Sequence, residues 1–137
     1  MRPTWVFDVD GCLIDLITGS SLRPLATELL EELQRQGIDV VLWSAGGASY
    51  ARRRAHQVGI EQLVAAVHGK SHRGDDGRWR TDELTVGRTV LAFVDDAPEE
   101  LPVGLPVFAV SPYLAHSPHD AGLADVLSSA RGGSCPS

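Results

Sequence analysis

The feature that most constrains this chain is a series of short, almost continuous apolar runs that alternate with stretches of helical character. Two of the clearest runs are Asp39–Trp43 and Thr89–Val94, and residues 48–57 between them are predicted as a helix. Strands that are apolar at nearly every position are buried on both faces, which is typical of a covered parallel sheet. The chain is therefore predicted to fold as a doubly wound, Rossmann-like α/β domain with helices on both faces of a parallel sheet.

Other segments extend this alternation. Trp5–Phe7 is predicted as the first strand and ends at Asp8. Residues 24–36 are predicted as a helix because four leucines recur on one face and Gly37 follows as a stop signal. The further predicted elements are a short apolar piece at 63–67, a strand at 106–110 and a helix at 121–130.

The length and the irregular segments indicate one domain. A chain of 137 residues is long enough for a single core. We predict a domain over residues 1–131 and a disordered tail over 132–137, which consists of small and polar residues. The less regular stretches at 11–23 and 69–82 are too short for a second domain, and Gly74–Gly77 predicts a turn and a small hairpin in the latter.

Charge and cysteine content limit the functional classes. Twelve basic against 18 acidic residues give a net charge of −6, which argues against broad nonspecific binding of nucleic acid and suits a protein that holds a cation. Two cysteines do not make a disulfide framework, and no apolar run has the length of a membrane span. The first residues lack the apolar stretch of a signal peptide, so a cytoplasmic protein is expected.

Polar residues stand directly after three of the predicted strands. Asp8 and Asp10 follow the first strand, and Ser44 follows the second. The pair Asp95–Asp96 follows the strand that begins at Thr89. In an open parallel sheet these carboxyl ends meet at one edge, where ligands bind. Clustered carboxylates repel one another unless a cation lies among them, and Mg²⁺ suits oxygen ligands beside a phosphate, so a Mg²⁺ site is predicted at this edge.

These residues resemble the four motifs of the haloacid dehalogenase superfamily of phosphohydrolases. The first motif, a strand followed by Asp-x-Asp-Gly, is matched by residues 7–11, and the second, an apolar strand that ends in Ser or Thr, by residues 40–44. The third is a lone Lys or Arg, matched by Lys70, the only lysine, and the fourth is an acidic pair after an apolar strand, matched by residues 93–96. The motifs occur in order across residues 5–110, so the resemblance covers most of the chain and implies a phosphatase.

The resemblance also implies catalytic roles. Asp8 would be the nucleophile that attacks phosphorus and forms an aspartyl-phosphate. Asp10 would protonate the leaving oxygen and then activate water as a general base. Lys70 would offset the negative charge of Asp8 and of the transferred phosphoryl group.

Binding roles follow from the same resemblance. Ser44 would hydrogen-bond a phosphoryl oxygen, with help from the backbone N–H groups of Ala45 and Gly46. Mg²⁺ would be held by the four acidic residues of the motifs: the Asp8 carboxylate, the Asp10 backbone carbonyl and Asp96, with Asp95 close by.

The superfamily uses inserted cap domains to shield the site and select substrates. Only residues 11–23 separate the first motif from the first predicted helix, and the stretch between Lys70 and Asp95 is short, so a capless member is expected. An open site favours a phosphorylated macromolecule or a nucleotide as substrate, although the net charge does not itself indicate nucleic acid. No membrane partner is expected. The oligomeric state, and any closure of 11–23 or 69–82 over the site, stay open.

Alternatives remain at the third motif and in the function. Arg78 or Arg80 is an alternative cation to Lys70. The enzyme is alternatively a polynucleotide or nucleotide phosphatase, served by the arginines at 52–54. Outside enzymes, the same residue types serve a phosphorylatable signalling module or a non-catalytic binding protein, but a signalling module normally has its acceptor Asp on a middle strand.

Overall fold

The sheet has five strands, all parallel, in a computed structural model that describes residues 1–136. The strands are β1 (Arg2–Asp8), β2 (Asp39–Ser44), β3 (Ala66–Gly69), β4 (Arg88–Asp95) and β5 (Val107–Ala109). Their order across the sheet is β3-β2-β1-β4-β5. This order confirms the predicted Rossmann-like α/β fold in a single small domain, with β1 as the central strand.

Three α-helices cover one face of the sheet. They are α1 (Ala26–Arg35), α2 (Ala48–Gln57) and α3 (Ala124–Arg131). The larger core joins their buried residues to alternate strand positions such as Phe7, Leu42 and Val94. The leucines of α1 that repeat along one helix face are fully buried in this core, and burying each contributes about 2 kcal/mol.

The opposite face is covered by short 3₁₀ turns and irregular chain. Val41, Trp43 and Phe93 point to this side and form a second, smaller core with Leu84 and Leu101. Leu84 lies in a 3₁₀ turn at Asp82–Thr85, and Leu101 directly follows another at Pro98–Glu100. Both faces are therefore covered, as a doubly wound fold requires, but the α-helices all lie on the side of the larger core.

Two helices begin later than the sequence pattern predicts. Leu25 has a positive φ of 73° and so cannot continue a right-handed helix, which places the start of α1 at Ala26. Before α3, the Asp120 carboxylate accepts a hydrogen bond from the Gly122 amide and pairs with buried Arg23. That turn occupies the residues predicted to open the helix.

The two irregular segments have local order of their own. In 69–82 the predicted hairpin is reduced to one antiparallel bridge between Arg73 and Trp79, around the turn at Gly74–Gly77. In 11–23, Asp15 is buried and accepts hydrogen bonds from the loop tip. Ser137 lies outside the described residues, and the disorder expected over 132–137 stays a prediction.

The helices give no sign of a membrane span. Across residues 1–136, none is both long enough and apolar enough to cross a bilayer. The two cysteines are both free thiols: Cys12 is buried and Cys135 is exposed.

Candidate active site

The carboxyl edge of the sheet gathers the predicted site residues at a topological switch point. From β1 the chain winds outwards in one direction through β2 and β3, and then returns to β4 on the other side of β1. Asp8 ends β1, Ser44 ends β2 and Asp95 ends β4. Parallel strands that reverse their order leave a crevice at this edge, so three chemically active side chains surround it.

Lys70 connects two of the carboxylates. Its Nζ donates to Asp8 Oδ1 at 2.9 Å and lies 3.5 Å from Asp95 Oδ2. The Lys70 backbone N–H donates to the Ser44 carbonyl at 2.8 Å, which fixes the residue just beyond β3. Its Nζ also lies 5.1 Å from the centroid of the Trp43 ring. Lys70 is buried, so its charge acts on the carboxylates with little screening by water.

The pKa values reflect crowded negative charge. Burial, the charge of Asp95 and the hydrogen bond with Asp96 raise the pKa of Asp8 to about 8, against the lowering effect of Lys70. Burial likewise raises the pKa of Asp95. Burial alone would lower the pKa of Lys70, but its two carboxylate partners outweigh it and raise that pKa. One ammonium group therefore does not balance the carboxylates around it.

Three carboxylates form a cluster that fits a hard divalent cation. Asp8, Asp95 and Asp96 each offer an oxygen atom, and these atoms lie within 4.8 Å of one another. Carboxylate oxygens are the ligands that Mg²⁺ prefers, and the raised pKa of Asp8 marks repulsion that a cation would relieve. The donor set and the charge imbalance thus both agree with a Mg²⁺ site.

Gly11 completes the Asp-x-Asp-Gly motif for a steric reason. Its φ is +79°, and a Cβ at this position would lie 2.7 Å from Asp96 Oδ2. A residue with a side chain would be strained here and would also displace one of the clustered carboxylates. The glycine is therefore required by the approach of the loop to Asp96.

The predicted phosphate-binding residues form a tight turn after β2. The Gly46 N–H donates to Ser44 Oγ at 3.0 Å, and the Gly47 N–H donates to the Ser44 carbonyl at 3.1 Å. Ser44 is buried, whereas Ala45 and Gly46 are exposed. Within residues 1–136 the Ser44 hydroxyl donates to no acceptor, so its proton is free for a ligand at this edge.

Tyr50 is a residue of the site that the sequence reasoning missed. Its hydroxyl donates to Asp10 Oδ1 at 2.6 Å, while burial and this hydrogen bond raise the pKa of Tyr50. The sequence shows a tyrosine early in a predicted helix but does not show which side of that helix meets Asp10. Asp10 itself is not part of the cluster that Lys70 and the other aspartates form.

The alternative cations lie elsewhere. Arg80 Nε donates to Asp82 Oδ2 at 3.0 Å, and Arg78 lies 3.7 Å from Asp76, both outside the group formed around Asp8. On α2, Arg52 and Arg53 are exposed, and the Arg54 guanidinium lies 5.1 Å from the centroid of the Tyr50 ring. Of the cations weighed for the third motif, Lys70 is the one that contacts Asp8.

Comparison with known proteins shows likeness in fold. No family model and no curated protein matches the chain. An uncharacterized protein from Listeria monocytogenes serotype 4b is 14% identical, with a TM-score of 0.61 over 94% of this chain and 96% of its own. A chain of the Pnkp1/Rnl/Hen1 complex is 20% identical, with a TM-score of 0.58 over 85% of this chain and 48% of its own. A chain from a second structure, of the Pnkp1/Rnl/Hen1 RNA repair complex, is also 20% identical, with a TM-score of 0.54 over 85% of this chain and 44% of its own. The present chain thus matches somewhat less than half the length of either of the latter two.

Proposed function

We propose that this protein is a cytoplasmic, Mg²⁺-dependent phosphatase of the haloacid dehalogenase superfamily, without a cap, that hydrolyses a phosphomonoester through an aspartyl-phosphate. The observation that carries the proposal is the contact of Lys70 Nζ with Asp8 and Asp95 at the carboxyl edge of the sheet. A buried cation beside a carboxylate at a switch point is suited to a nucleophile that receives a charged phosphoryl group.

The reaction has two transfers. First, an Asp8 carboxylate oxygen forms a bond to phosphorus while the bond to the leaving oxygen breaks and its electron pair stays on that oxygen. Asp10 donates a proton to the leaving oxygen. Second, a water oxygen forms a bond to phosphorus while the bond from phosphorus to the Asp8 oxygen breaks and its electron pair returns to that carboxylate, and Asp10 takes a proton from the water. Asp8 is regenerated and inorganic phosphate is released.

Binding of the phosphoryl group falls to the turn after β2 and to Lys70. The Ser44 hydroxyl and the N–H of the exposed residue Ala45 would bind the phosphoryl oxygens, whereas the Gly46 N–H already donates to Ser44 Oγ and orients that side chain. Lys70 adds a positive charge, and its attraction to the transferred group strengthens as negative charge develops on that group.

Asp8 and Asp96 of the carboxylate cluster would hold the metal, with Asp95 close by, and the resemblance adds the Asp10 backbone carbonyl as a further ligand. When bound, Mg²⁺ neutralises negative charge on the carboxylates and on the phosphoryl oxygens. The proposal predicts that activity depends on Mg²⁺ and that Asp96→Asn raises the Mg²⁺ concentration needed for half-maximal activity.

Within the proposal, the substrate is a phosphorylated macromolecule or a nucleotide. Within residues 1–136 the segments 11–23 and 69–82 are too short to form a large cap domain, which supports a site that is open to large substrates. Arg52 and Arg53 are exposed on the helix that carries Tyr50, and within the described residues neither forms an ion pair with a carboxylate. Such arginines bind phosphates of a polymer, and the fold is similar to that of a chain in an RNA repair complex. A polynucleotide phosphatase is therefore the second candidate.

The decisive experiment is hydrolysis of an aryl phosphate by wild type, Asp8→Asn and Asp10→Asn, each with and without Mg²⁺. We expect Mg²⁺-dependent turnover in wild type and a loss of at least about 100-fold in both variants. Turnover that survives Asp8→Asn would exclude the aspartyl-phosphate route. If Asp8 becomes phosphorylated but the phosphate persists for minutes or longer with Mg²⁺, the signalling module is the better description.

The second candidate has its own test. Arg52→Ala combined with Arg53→Ala is expected to lower kcat/KM for an oligonucleotide with a terminal phosphate at least about fivefold, with little change for the aryl phosphate. Equal values for the wild type and the double variant on the oligonucleotide would remove the support that α2 gives to a polymeric substrate.

A further inference from the structure

Tyr50 lies in the first turn of α2 and is fixed by contacts with two other parts of the chain and with Arg54 of the same helix. Its hydroxyl donates to Asp10 Oδ1 at 2.6 Å. Its ring packs so closely on the turn after β2 that a Cβ on Gly46 would lie 2.7 Å from the ring Cδ1 atom. The Arg54 guanidinium lies 5.1 Å from the ring centroid. The hydroxyl is therefore held at one place relative to Asp10.

Within residues 1–136 the Asp10 carboxyl group has fewer hydrogen-bond partners than that of Asp95. Asp8 and Asp95 are both held by Lys70, and Asp95 also accepts the Ala97 N–H at 2.8 Å. For Asp10, Tyr50 is the one side chain in residues 1–136 that forms a hydrogen bond with the carboxyl group. Without it, the carboxyl group is free to rotate about its Cβ–Cγ bond.

We propose that Tyr50 is a positioning residue for proton transfer: by holding Asp10 Oδ1, it leaves Oδ2 as the oxygen that exchanges a proton with the leaving group and with water. This inference rests on the proposed phosphatase function and on the role of Asp10 as acid and base. Tyr50 does not touch the reacting atoms, so it acts through Asp10.

The hydrogen bond determines which oxygen carries the proton. A phenol that donates to a protonated carboxyl group binds its carbonyl-type oxygen, so the acidic proton of Asp10 is on Oδ2. In the first transfer the Oδ2–H bond breaks, a bond from hydrogen to the leaving oxygen forms, and the P–O electron pair remains on that oxygen. In the second transfer Oδ2 takes a proton from the attacking water. Tyr50 keeps its own proton throughout.

The test is the dependence of kcat/KM on the basicity of the leaving group. Because kcat/KM reports the first transfer, a series of substituted phenyl phosphates of similar size isolates the role of Asp10 as an acid. A weakly basic leaving group such as 4-nitrophenolate leaves with little help, whereas unsubstituted phenolate needs the proton. Tyr50→Phe keeps the ring on Gly46 and removes the hydroxyl alone.

We expect Tyr50→Phe to lower kcat/KM about tenfold for phenyl phosphate and about twofold or less for 4-nitrophenyl phosphate. The plot of log kcat/KM against leaving-group pKa then becomes steeper than in the wild type. Tyr113→Phe is the matched control, because Tyr113 is the other tyrosine and its hydroxyl accepts the Ser117 N–H. This control is expected to keep the wild-type slope.

The outcomes separate the inference from the proposed function. If Tyr50→Phe lowers kcat/KM by the same factor for every ester, or leaves all values at wild type, Tyr50 does not position the acid and the inference is wrong. If the wild type does not hydrolyse the esters, or if Asp8→Asn hydrolyses them as fast as the wild type, the proposed function is wrong and so is the inference that rests on it. A steeper slope in Tyr113→Phe as well would assign the effect to general loosening of the fold.

Discussion

Asp8 and Asp15 are two buried or nearly buried carboxylates near the same end of the chain, yet their surroundings differ completely. At Asp15, burial acts to raise the pKa, but the N–H groups of Thr18, Ser20 and Ser21 outweigh it and lower the pKa to about 2. At Asp8, burial is joined by two further carboxylates, and the pKa rises to about 8. The Asp15 carboxylate, whose charge is satisfied by hydrogen-bond donors, stabilises the loop around it. The Asp8 carboxylate is repelled by its neighbours and therefore favours the binding of a cation.

The largest expected effect is a difference in the free energy of unfolding between two single variants, Asp15→Asn and Asp8→Asn. Without Mg²⁺, Asp15→Asn should lower the free energy of unfolding by about 3 kcal/mol, because the new NH₂ group faces N–H donors and leaves some without an acceptor. Asp8→Asn replaces a carboxyl group whose ionisation burial and the neighbouring carboxylates already oppose, so it should not lower the free energy of unfolding. Urea denaturation of both variants and wild type measures the difference. Equal losses in the two variants would show that burial alone, and not the kind of neighbour, decides the energetics.

Mg²⁺ should stabilise the protein through Asp8 and leave Asp15 uninvolved. At a Mg²⁺ concentration of 100 times Kd, the wild type should gain about 2.7 kcal/mol, seen as a rise in Tm. The gain should disappear in Asp96→Asn and persist in Asp15→Asn, which is the control for a general effect of salt. A rise in Tm of the same size in Asp96→Asn would mean that Mg²⁺ binds elsewhere.

Acid should release the stability held at Asp15. Its folded pKa is lowered from 3.8 to about 2, so the contribution is fully present above pH 4 and is lost as pH falls from about 4 to about 2. The amount is about 2 kcal/mol. Unfolding at several pH values, compared between wild type and Asp15→Asn, measures it. The variant should lose less stability across this interval, and parallel curves would contradict the assignment to Asp15.

Much of the fold could be predicted from the sequence, because the strands of a covered parallel sheet are buried on both faces and are therefore apolar at nearly every position. That pattern predicted the strands around Val40 and Val94, and the parallel geometry then predicted that their carboxyl ends meet. The helix boundaries were harder to predict, since Leu25 adopts a positive φ that its residue type does not indicate. The cover of the second face by 3₁₀ turns was also not predictable, because the short segments around Leu84 and Leu101 show no helical or strand periodicity.

The site divides in the same way. The contact of Lys70 with Asp8 was expected from the resemblance to the superfamily's motifs, and it forms because Asp8 ends β1 and Lys70 follows β3 at the same edge of the sheet. The contact of Tyr50 with Asp10 depends on the rotation of a ten-residue helix about its axis. The bonds around Asp15 depend on the path of a loop. Neither the Tyr50–Asp10 contact nor the hydrogen bonds around Asp15 produce a repeating pattern in the sequence from which they could be predicted.

The smallest expected effect compares two glycines that share a backbone conformation but not a neighbour. Gly11 and Gly37 have φ values of +79° and +75°, so replacing either with Ala costs about 1 kcal/mol of folding free energy from backbone strain. A Cβ at Gly37 would meet no atom within 4 Å, whereas one at Gly11 would lie 2.7 Å from Asp96 Oδ2. Gly11→Ala should therefore also weaken the rise in Tm that Mg²⁺ produces, while Gly37→Ala keeps it. If both variants respond to Mg²⁺ as the wild type does, Asp96 moves aside without loss, and its position beside Gly11 is not needed to hold the metal.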